Sequence, residues 1–246
     1  MKDGIETRLF VESSLSADRS ITLDKDQTHY VKNVLRLGTG DEIALFNGRD
    51  GEWRARIEEL AKKSATLSLV ETLRPQTAEP DLWLAFAPIK RGRIDFTAQK
   101  ATELGVSLLW PTLTRFTMVD RVNVERLEAN AREAAEQSDR LTVPEVRAPI
   151  KLDKLLQAWP EDRHLILCDE TGGQPIAEAL AAPHMKKGGA CGFVIGPEGG
   201  FASEELDQMR KLPFVTRVSL GPRLLRADTA ALAAVSVWQA VSGDWK

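Results

Sequence analysis

Hydrophobic positions change their rhythm near residue 80. Before it they alternate with polar ones. Arg8-Leu9-Phe10-Val11, Asp41 to Phe46, Glu52 to Ile57 and Ala65 to Val70 each read as a short strand of period two. Asn47-Gly48 marks a turn between two of them. One helix interrupts the series: Thr28 to Leu37 sets Val31, Val34 and Leu35 on one face, and Gly38 and Gly40 end it. Thr72 to Pro80 is polar with two prolines, which makes 73–80 a linker.

Beyond the linker, apolar runs alternate with helical patterns. Strands are predicted at Leu82 to Ala87, closed by Pro88, at Val106 to Leu109, ended by Pro111, and at Leu165 to Cys168, Phe193 to Ile195 and Val215 to Leu220. Arg91 to Leu104 carries Ile94, Ala98, Ala101 and Leu104 on one helical face. Asn123 to Ser138 is a helix capped by Asn123 that buries Val124, Leu127, Ala131, Ala134 and Ala135. Shorter helices are expected at Leu152 to Trp159 and Ala177 to Ala181, and another opens on Ser203 as cap with Glu204 and Glu205 in its first turn. The last, Thr229 to Val241, sets Leu232, Val235 and Trp238 on one face and Ala231, Ala234, Val237 and Val241 on another. A helix apolar nearly all round buries more than one side. That predicts a homodimer, the alternative being a helix enclosed within one subunit. The whole pattern predicts a small β domain over 1–72 and an α/β domain over 81–246, with a parallel sheet covered on both faces.

Ligands in such sheets bind beyond the C-terminal strand ends. Cys168-Asp169-Glu170, Gly196-Pro197-Glu198 and Leu220-Gly221-Pro222 all fall there. The last two belong to longer loops, Gly192 to Phe201 and Ser219 to Ala230. Each leaves a strand through a Gly-Pro break and enters a helix, which exposes bare backbone N–H groups to a ligand. Neither is a dinucleotide or P-loop fingerprint.

Composition narrows the partners. No run of about 18 apolar residues occurs, so no membrane helix is expected. The polar start, Met1 to Glu6, is unlike a signal peptide, and a cytoplasmic protein is expected. Cys168 and Cys191 form no metal spacing, and with three histidines no metal site is expected. A net charge of −3 leaves nucleic acid to local basic patches.

Two motifs carry a resemblance. Gly-Pro-Glu-Gly-Gly-Phe at 196–201 and Ser-Leu-Gly-Pro-Arg-Leu-Leu-Arg-Ala-Asp-Thr-Ala at 219–230 resemble the C-terminal signature of the SPOUT methyltransferases that methylate N3 of a uridine in 16S ribosomal RNA. Asp228 stands where that family is expected to have Glu, a shorter carboxylate. His29-Tyr30 through Val34-Leu35-Arg36-Leu37, followed by Gly40-Asp41, resembles the family's PUA-like domain. The resemblance implies an α/β fold: a SPOUT-type methyltransferase domain with a trefoil knot behind a small N-terminal β-barrel PUA-like domain. It implies S-adenosyl-L-methionine as methyl donor, 16S ribosomal RNA or the small ribosomal subunit as partner, and a homodimer.

It also implies roles for residues. Leu167, Ile195, Gly196, Gly199, Gly200, Leu220, Gly221, Leu225 and Thr229 are expected at the cofactor. Arg226 is the expected cation for charge developing on uracil O2 and O4, and Glu198 and Asp228 are the carboxylates. For each carboxylate the readings stand open: taking the N3 proton, holding loop geometry through backbone N–H groups, or pairing with Arg226. Arg8, His29, Arg36 and Arg54 are the expected RNA contacts of the first domain. Lys90, Arg91 and Arg93, with Arg115 and Arg121, are the expected phosphate track, and Gln137, Ser138 and Arg140 are expected near the RNA. A ribose 2′-OH as acceptor, or a non-catalytic RNA-binding relative, are the competing functions.

Overall fold

Alternation in the first 80 residues builds a sheet whose strands bury one face, except at Glu42–Phe46, where Ile43 to Phe46 are all buried. The computed structural model describes residues 5, 7–119, 121–183, 185 and 189–245, without the side chain of Arg91. It divides into two compact units, Met1–Ala78 with Ala135–Val143, and Glu79–Ala134 with Pro144–Lys246. The division expected from sequence is contiguous; the first unit also draws in nine residues from far along the chain, including the last turn of a helix.

The first unit holds β1 (Arg8–Phe10), β2 (Ser20–Leu23), α1 (Lys25–His29), β3 (Glu42–Phe46), β4 (Glu52–Leu60) and β5 (Ala65–Arg74). Their order is β1-β3-β4-β5-β2, with β1 parallel to β3 and the other pairs antiparallel. Leu9, Ile21, Leu23, Val31, Ile43, Leu45, Ile57 and Leu67 pack together inside. The predicted helix at 28–37 needs correction. It begins earlier, where Asp24 accepts from the amides of Asp26 and Gln27 in a capping box. From Tyr30 to Val34 it widens into a π turn, with the Leu35 amide donating to the Tyr30 carbonyl at 3.0 Å. The wider turn breaks the 3.6-residue period, so Val31 is buried while Val34 is 58% exposed. Arg36, at φ +60°, ends the helix in the left-handed region.

The second unit holds β6 (Leu82–Phe86), α2 (Arg91–Glu103), β7 (Leu108–Leu113), α3 (Val124–Gln137), β8 (Glu145–Val146), β9 (Ile150–Lys151), α4 (Leu152–Ala158), β10 (His164–Cys168), β11 (Gln174–Pro175), α5 (Ile176–Leu180), β12 (Cys191–Ile195), α6 (Ser203–Arg210), β13 (Val215–Ser219) and α7 (Ala227–Val241). The strands run β11-β13-β10-β12-β6-β7-β8, with β9 also beside β7, and every pair is parallel. The order sets β13, β10 and β12 side by side, so their C-terminal ends open into one place.

Local expectations differ in four particulars. Pro111 does not end β7: β8 stops opposite Leu109 and β9 begins opposite Thr112, so proline stands where no partner needs its missing N–H. Asn123 does cap α3, accepting from the Arg126 amide at 2.9 Å, but Val124 beside it is only half-buried. Ala202, not Ser203, is the cap residue of α6, and the Glu205 carboxylate reaches back to its amide. On α7 the two proposed faces merge into one buried stripe of Ala231, Ala234, Val235 and Trp238, while Leu232, Val237 and Val241 are half-buried. Gln239 fixes this helix by donating to the Leu104 carbonyl at 2.7 Å. Among the described residues no helix is long and apolar enough to cross a membrane.

Candidate active site

A cavity of about 600 Å³ opens where β10, β12 and β13 end. That volume lies within the range of small-molecule sites, about 300–1,000 Å³. Its walls are Cys168 to Thr171, most of Ile195 to Phe201, and Ser219 to Ala227, with Leu206 and Ala230 from α6 and α7.

Glycine shapes two of these walls. A Cβ on Gly196 would lie 2.9 Å from the Phe201 ring, so the loop folds back on its own phenylalanine only with glycine there. Gly200 sits at φ +70° and its amide closes the turn on the Pro197 carbonyl at 2.9 Å. The third wall is electrostatic. Asp169, 4% exposed, accepts from the Thr171 amide at 2.8 Å and hydroxyl at 2.7 Å through one oxygen. The other oxygen meets Arg217 Nε at 2.8 Å and Arg210 Nη2 at 3.1 Å. Burial alone would raise the Asp169 carboxyl. Thr171, Arg210 and Arg217 outweigh it and hold the group below its ordinary value. Cys168, beside it, is pushed up by burial, and burial pushes Cys191 up to about 12. Both are free cysteines.

The residues expected at the cofactor divide. Ile195, Gly196, Gly200, Leu220, Gly221 and Leu225 line the cavity. Leu167 stands one residue before the wall begins and is packed into the hydrophobic core. Gly199 faces Phe116, since a Cβ there would lie 3.2 Å from that side chain's Cβ. Thr229, exposed on the first turn of α7, is not in the lining. Of the catalytic candidates, Arg226 and Glu198 line the cavity. Asp228 does not. Its Oδ1 accepts from the Thr229 amide at 2.9 Å, and its Oδ2 lies 3.9 Å from Arg93 Nε. A carboxylate in the first turn of a helix suits the dipole, which favours the loop-holding reading for Asp228. Asp169, Thr171, Phe201, Arg223 and Leu224 also line the site and were not singled out as binding residues. Asp169 had a signal, its place at a strand end. Leu224 had none, because nothing in a sequence shows a leucine 80% exposed.

The expected RNA contacts divide more sharply. Arg8 is a correction: its guanidinium pairs with Glu52, its Nη1 donates to the carbonyls of Ala135 and Glu136 at 3.0 and 3.1 Å, and its Nη2 to that of Arg140 at 2.6 Å. It also lies over the Phe46 ring, 4.6 Å from its centre. Its two Nη atoms hold the segment 135–143, while Nε and the face of the group are taken by Glu52 and Phe46. Arg140 is likewise buried, with Nη2 donating to the Thr142 hydroxyl at 3.0 Å. Arg54 pairs with Glu42 at 3.0 Å and Glu71 at 2.8 Å. Ser138 is half-buried, whereas His29, Arg36, Lys90, Arg115 and Gln137 are exposed. Arg93 is half-buried beside Asp228, and the side chain of Arg91 lies outside the described residues.

Comparison with known proteins shows the family and the fold. The profile of an RNA methyltransferase domain matches residues 75–239, and that of an RNA methyltransferase PUA domain matches 23–70. The chain is 34% identical over 230 residues to the ribosomal RNA small subunit methyltransferase E of Rickettsia conorii, covering 93% of both chains. It is 33% identical to the protein of that name from Synechocystis, over 93% of this chain and 76% of the relative. Among solved structures, the ribosomal RNA small subunit methyltransferase E of Neisseria gonorrhoeae bound to S-adenosyl methionine superposes with a TM-score of 0.87 at 29% identity, over 98% of this chain and 99% of that one.

Proposed function

This chain belongs to the family of the ribosomal RNA small subunit methyltransferases E, and we propose from that premise which of its residues bind, orient and move a proton. It is an S-adenosylmethionine-dependent RNA methyltransferase that modifies N3 of a uridine in 16S ribosomal RNA. The cavity at the ends of β10, β12 and β13 fits the donor. Its volume suits a nucleoside-sized ligand, and its walls combine apolar side chains with glycine turns whose backbone a ligand can approach. Ile195, Gly196, Gly200, Leu220, Gly221 and Leu225 would hold it. When bound, S-adenosylmethionine supplies a methyl group already activated by the positive charge of its sulfonium.

The chain's own task is the acceptor. Uracil N3 carries a proton and is a poor nucleophile until that proton is shared. Glu198, one of the carboxylates lining the cavity, is the proposed acceptor. As it leaves, negative charge spreads to O2 and O4, and Arg226 meets that charge. The observation that carries this is the state of Arg226: it lines the cavity, is exposed, and makes no side-chain hydrogen bond or ion pair among the described residues. An arginine already paired inside the protein would have little left for an incoming charge. Asp228 holds the start of α7 and takes no proton.

RNA affinity is assigned to the exposed groups His29 and Arg36 in the first unit and to Lys90 and Arg115 in the second. The half-buried Leu232, Val237 and Val241 on α7 favour a second copy of the chain packing there, and sedimentation at twice the 27.2 kDa chain mass is the expected result. A cytoplasmic location follows from the substrate.

The function is tested by incubating protein and S-adenosylmethionine with ribosomal RNA or small subunits lacking the modification. Mass mapping of the product should find methyl on N3 of a uridine. A ribose-methylated product would replace the acceptor, and donor binding without transfer would leave a non-catalytic relative.

A further inference from the structure

We propose that Phe116 is the surface on which the acceptor base stacks at the mouth of the cavity. This rests on the methyl-transfer reading above and adds a substrate contact to it.

Phe116 lies in the loop after β7 and is 44% exposed, and Met118 two residues on is 86% exposed. An exposed aromatic ring on a floppy loop would mean little. This one stands on a pinned turn. The Thr114 amide donates to the Thr117 hydroxyl at 2.9 Å, the Thr117 amide donates to the Thr114 carbonyl at 3.2 Å, and the two hydroxyls lie 3.0 Å apart. The Arg115 amide donates to one oxygen of Glu205 at 2.8 Å, and the other oxygen accepts from the Ala202 amide at 2.9 Å. The turn is thus tied to the segment that leaves the glycine-rich loop.

The ring's root is seated on that loop. A Cβ on Gly199 would lie 3.2 Å from Phe116 Cβ, so the loop's backbone and the phenylalanine are in direct contact. Gly199 does not line the cavity, while its neighbours Glu198 and Gly200 do. Glycine at 199 is therefore explained by Phe116 and not by the donor. Leu224, 80% exposed, brings an apolar side chain to the cavity from the other loop.

These features match what a base modified in its ring requires. Where the N3 edge of such a base is paired or stacked, the base must be taken out and held between apolar faces. Every base has a flat π-face for an aromatic ring to cover. A ring fixed in advance loses little conformational freedom when the base arrives. Phe116 has no polar group and takes no part in proton transfer; it positions the base by contact.

The test compares Phe116→Ala, Phe116→Tyr, Phe116→Leu and Gly199→Ala with the wild-type protein, using RNA that the wild-type protein methylates. Phe116→Ala should lower kcat/KM for RNA about 10- to 100-fold, the usual range for losing one stacked base. Its donor affinity, sedimentation and unfolding midpoint should stay at wild-type values. Phe116→Tyr should restore most of the rate and Phe116→Leu should not, because leucine fills space without a π-face. Gly199→Ala should lower kcat/KM partly, by shifting the ring, again with donor affinity unchanged. Wild-type kcat/KM in Phe116→Ala would overturn the proposal, as would equal rescue by leucine and tyrosine. Loss of the dimer in Phe116→Ala would make the ring a contact between copies instead. Absence of methyl transfer by the wild-type protein would overturn the methyl-transfer reading itself.

Discussion

Two sets of arginines show how differently one residue type is used. In the first unit, Arg8 and Arg54 have carboxylates against them, and Arg8 also holds three carbonyls. In the cavity of the second unit, Arg226 stands exposed with no such partner among the described residues. A guanidinium has five donors in a fixed fork. Where the fold occupies them, the residue holds structure. Where it leaves them empty, the residue can meet a charge that arrives from outside. The expected roles differ, Arg226 at the chemistry and Arg8 and Arg54 at the RNA, but nothing in the sequence shows which guanidinium the fold itself occupies.

The largest consequence falls on stability in the first unit. Arg8→Ala leaves Glu52, whose side chain is 7% exposed, with Arg74 alone, and frees the carbonyls of Ala135, Glu136 and Arg140. The expected loss is about 3–5 kcal/mol, as for breaking a buried ion pair from one side. Denaturant unfolding measures it. A variant as stable as wild type but weak in RNA binding would return Arg8 to the RNA surface.

Arg226→Ala should do the reverse. It should unfold at the wild-type midpoint and bind S-adenosylmethionine within a few-fold of normal. Turnover should fall about 100- to 1,000-fold, or about 3–4 kcal/mol, by analogy with removing one donor to a developing oxyanion. Pre-steady-state transfer of a labelled methyl group separates that loss from slow product release. Near-normal transfer would remove Arg226 from the chemistry.

The paired set also predicts how stability depends on pH. Burial alone would raise both Glu52 and Asp169. Arg74 and Arg8 at the first, with Thr171, Arg210 and Arg217 at the second, outweigh it, and both sit below their ordinary values of 4.5 and 3.8. The folded state therefore binds fewer protons than the unfolded state near those values, and stability rises with pH there. The contribution is complete above the ordinary carboxylate range and is lost as pH falls through the lowered folded values. Unfolding measured from neutral pH downward should show stability declining below about pH 4.5, with Asp169→Asn flattening part of the decline. A wild-type profile flat to pH 3 would contradict the pairing.

Arg54→Ala should have the smallest effect. Its charge is already met by Glu42 and Glu71, so the salt dependence of RNA binding should not change. A drop of about one in the salt slope, the mark of one lost phosphate contact, would show that Arg54 reaches RNA despite its partners.

Much of the fold was legible because it follows from periodicity. Period-two runs became β1, β3, β4 and β5, and the apolar runs after residue 80 became the parallel strands whose ends meet at the cavity. The convergence of Asp169, Gly196 and Gly221 on one site followed from strand ends alone. What periodicity could not carry was the behaviour of single residues. The π turn at Tyr30–Val34 shifts the helical phase by one bond, which turned Val34 outward. The return of 135–143 to the first unit depends on Arg8, more than 120 residues away in the chain, finding the carbonyls there. Asp228 reads as a loop carboxylate in sequence, but its position in the first turn of α7 engages it locally. Phe116 stands in no motif and in no predicted element, and only the structure shows it exposed against Gly199.

The donor site is tested most directly by calorimetry of S-adenosylmethionine on the wild-type protein and on Gly196→Arg, whose side chain would displace the Phe201 ring that lines the cavity. Binding of one donor per chain by the wild type, and none by a variant that keeps its circular dichroism and unfolds cooperatively, is the predicted result. Unchanged binding by that variant would place the donor elsewhere and contradict the assignment of the cavity.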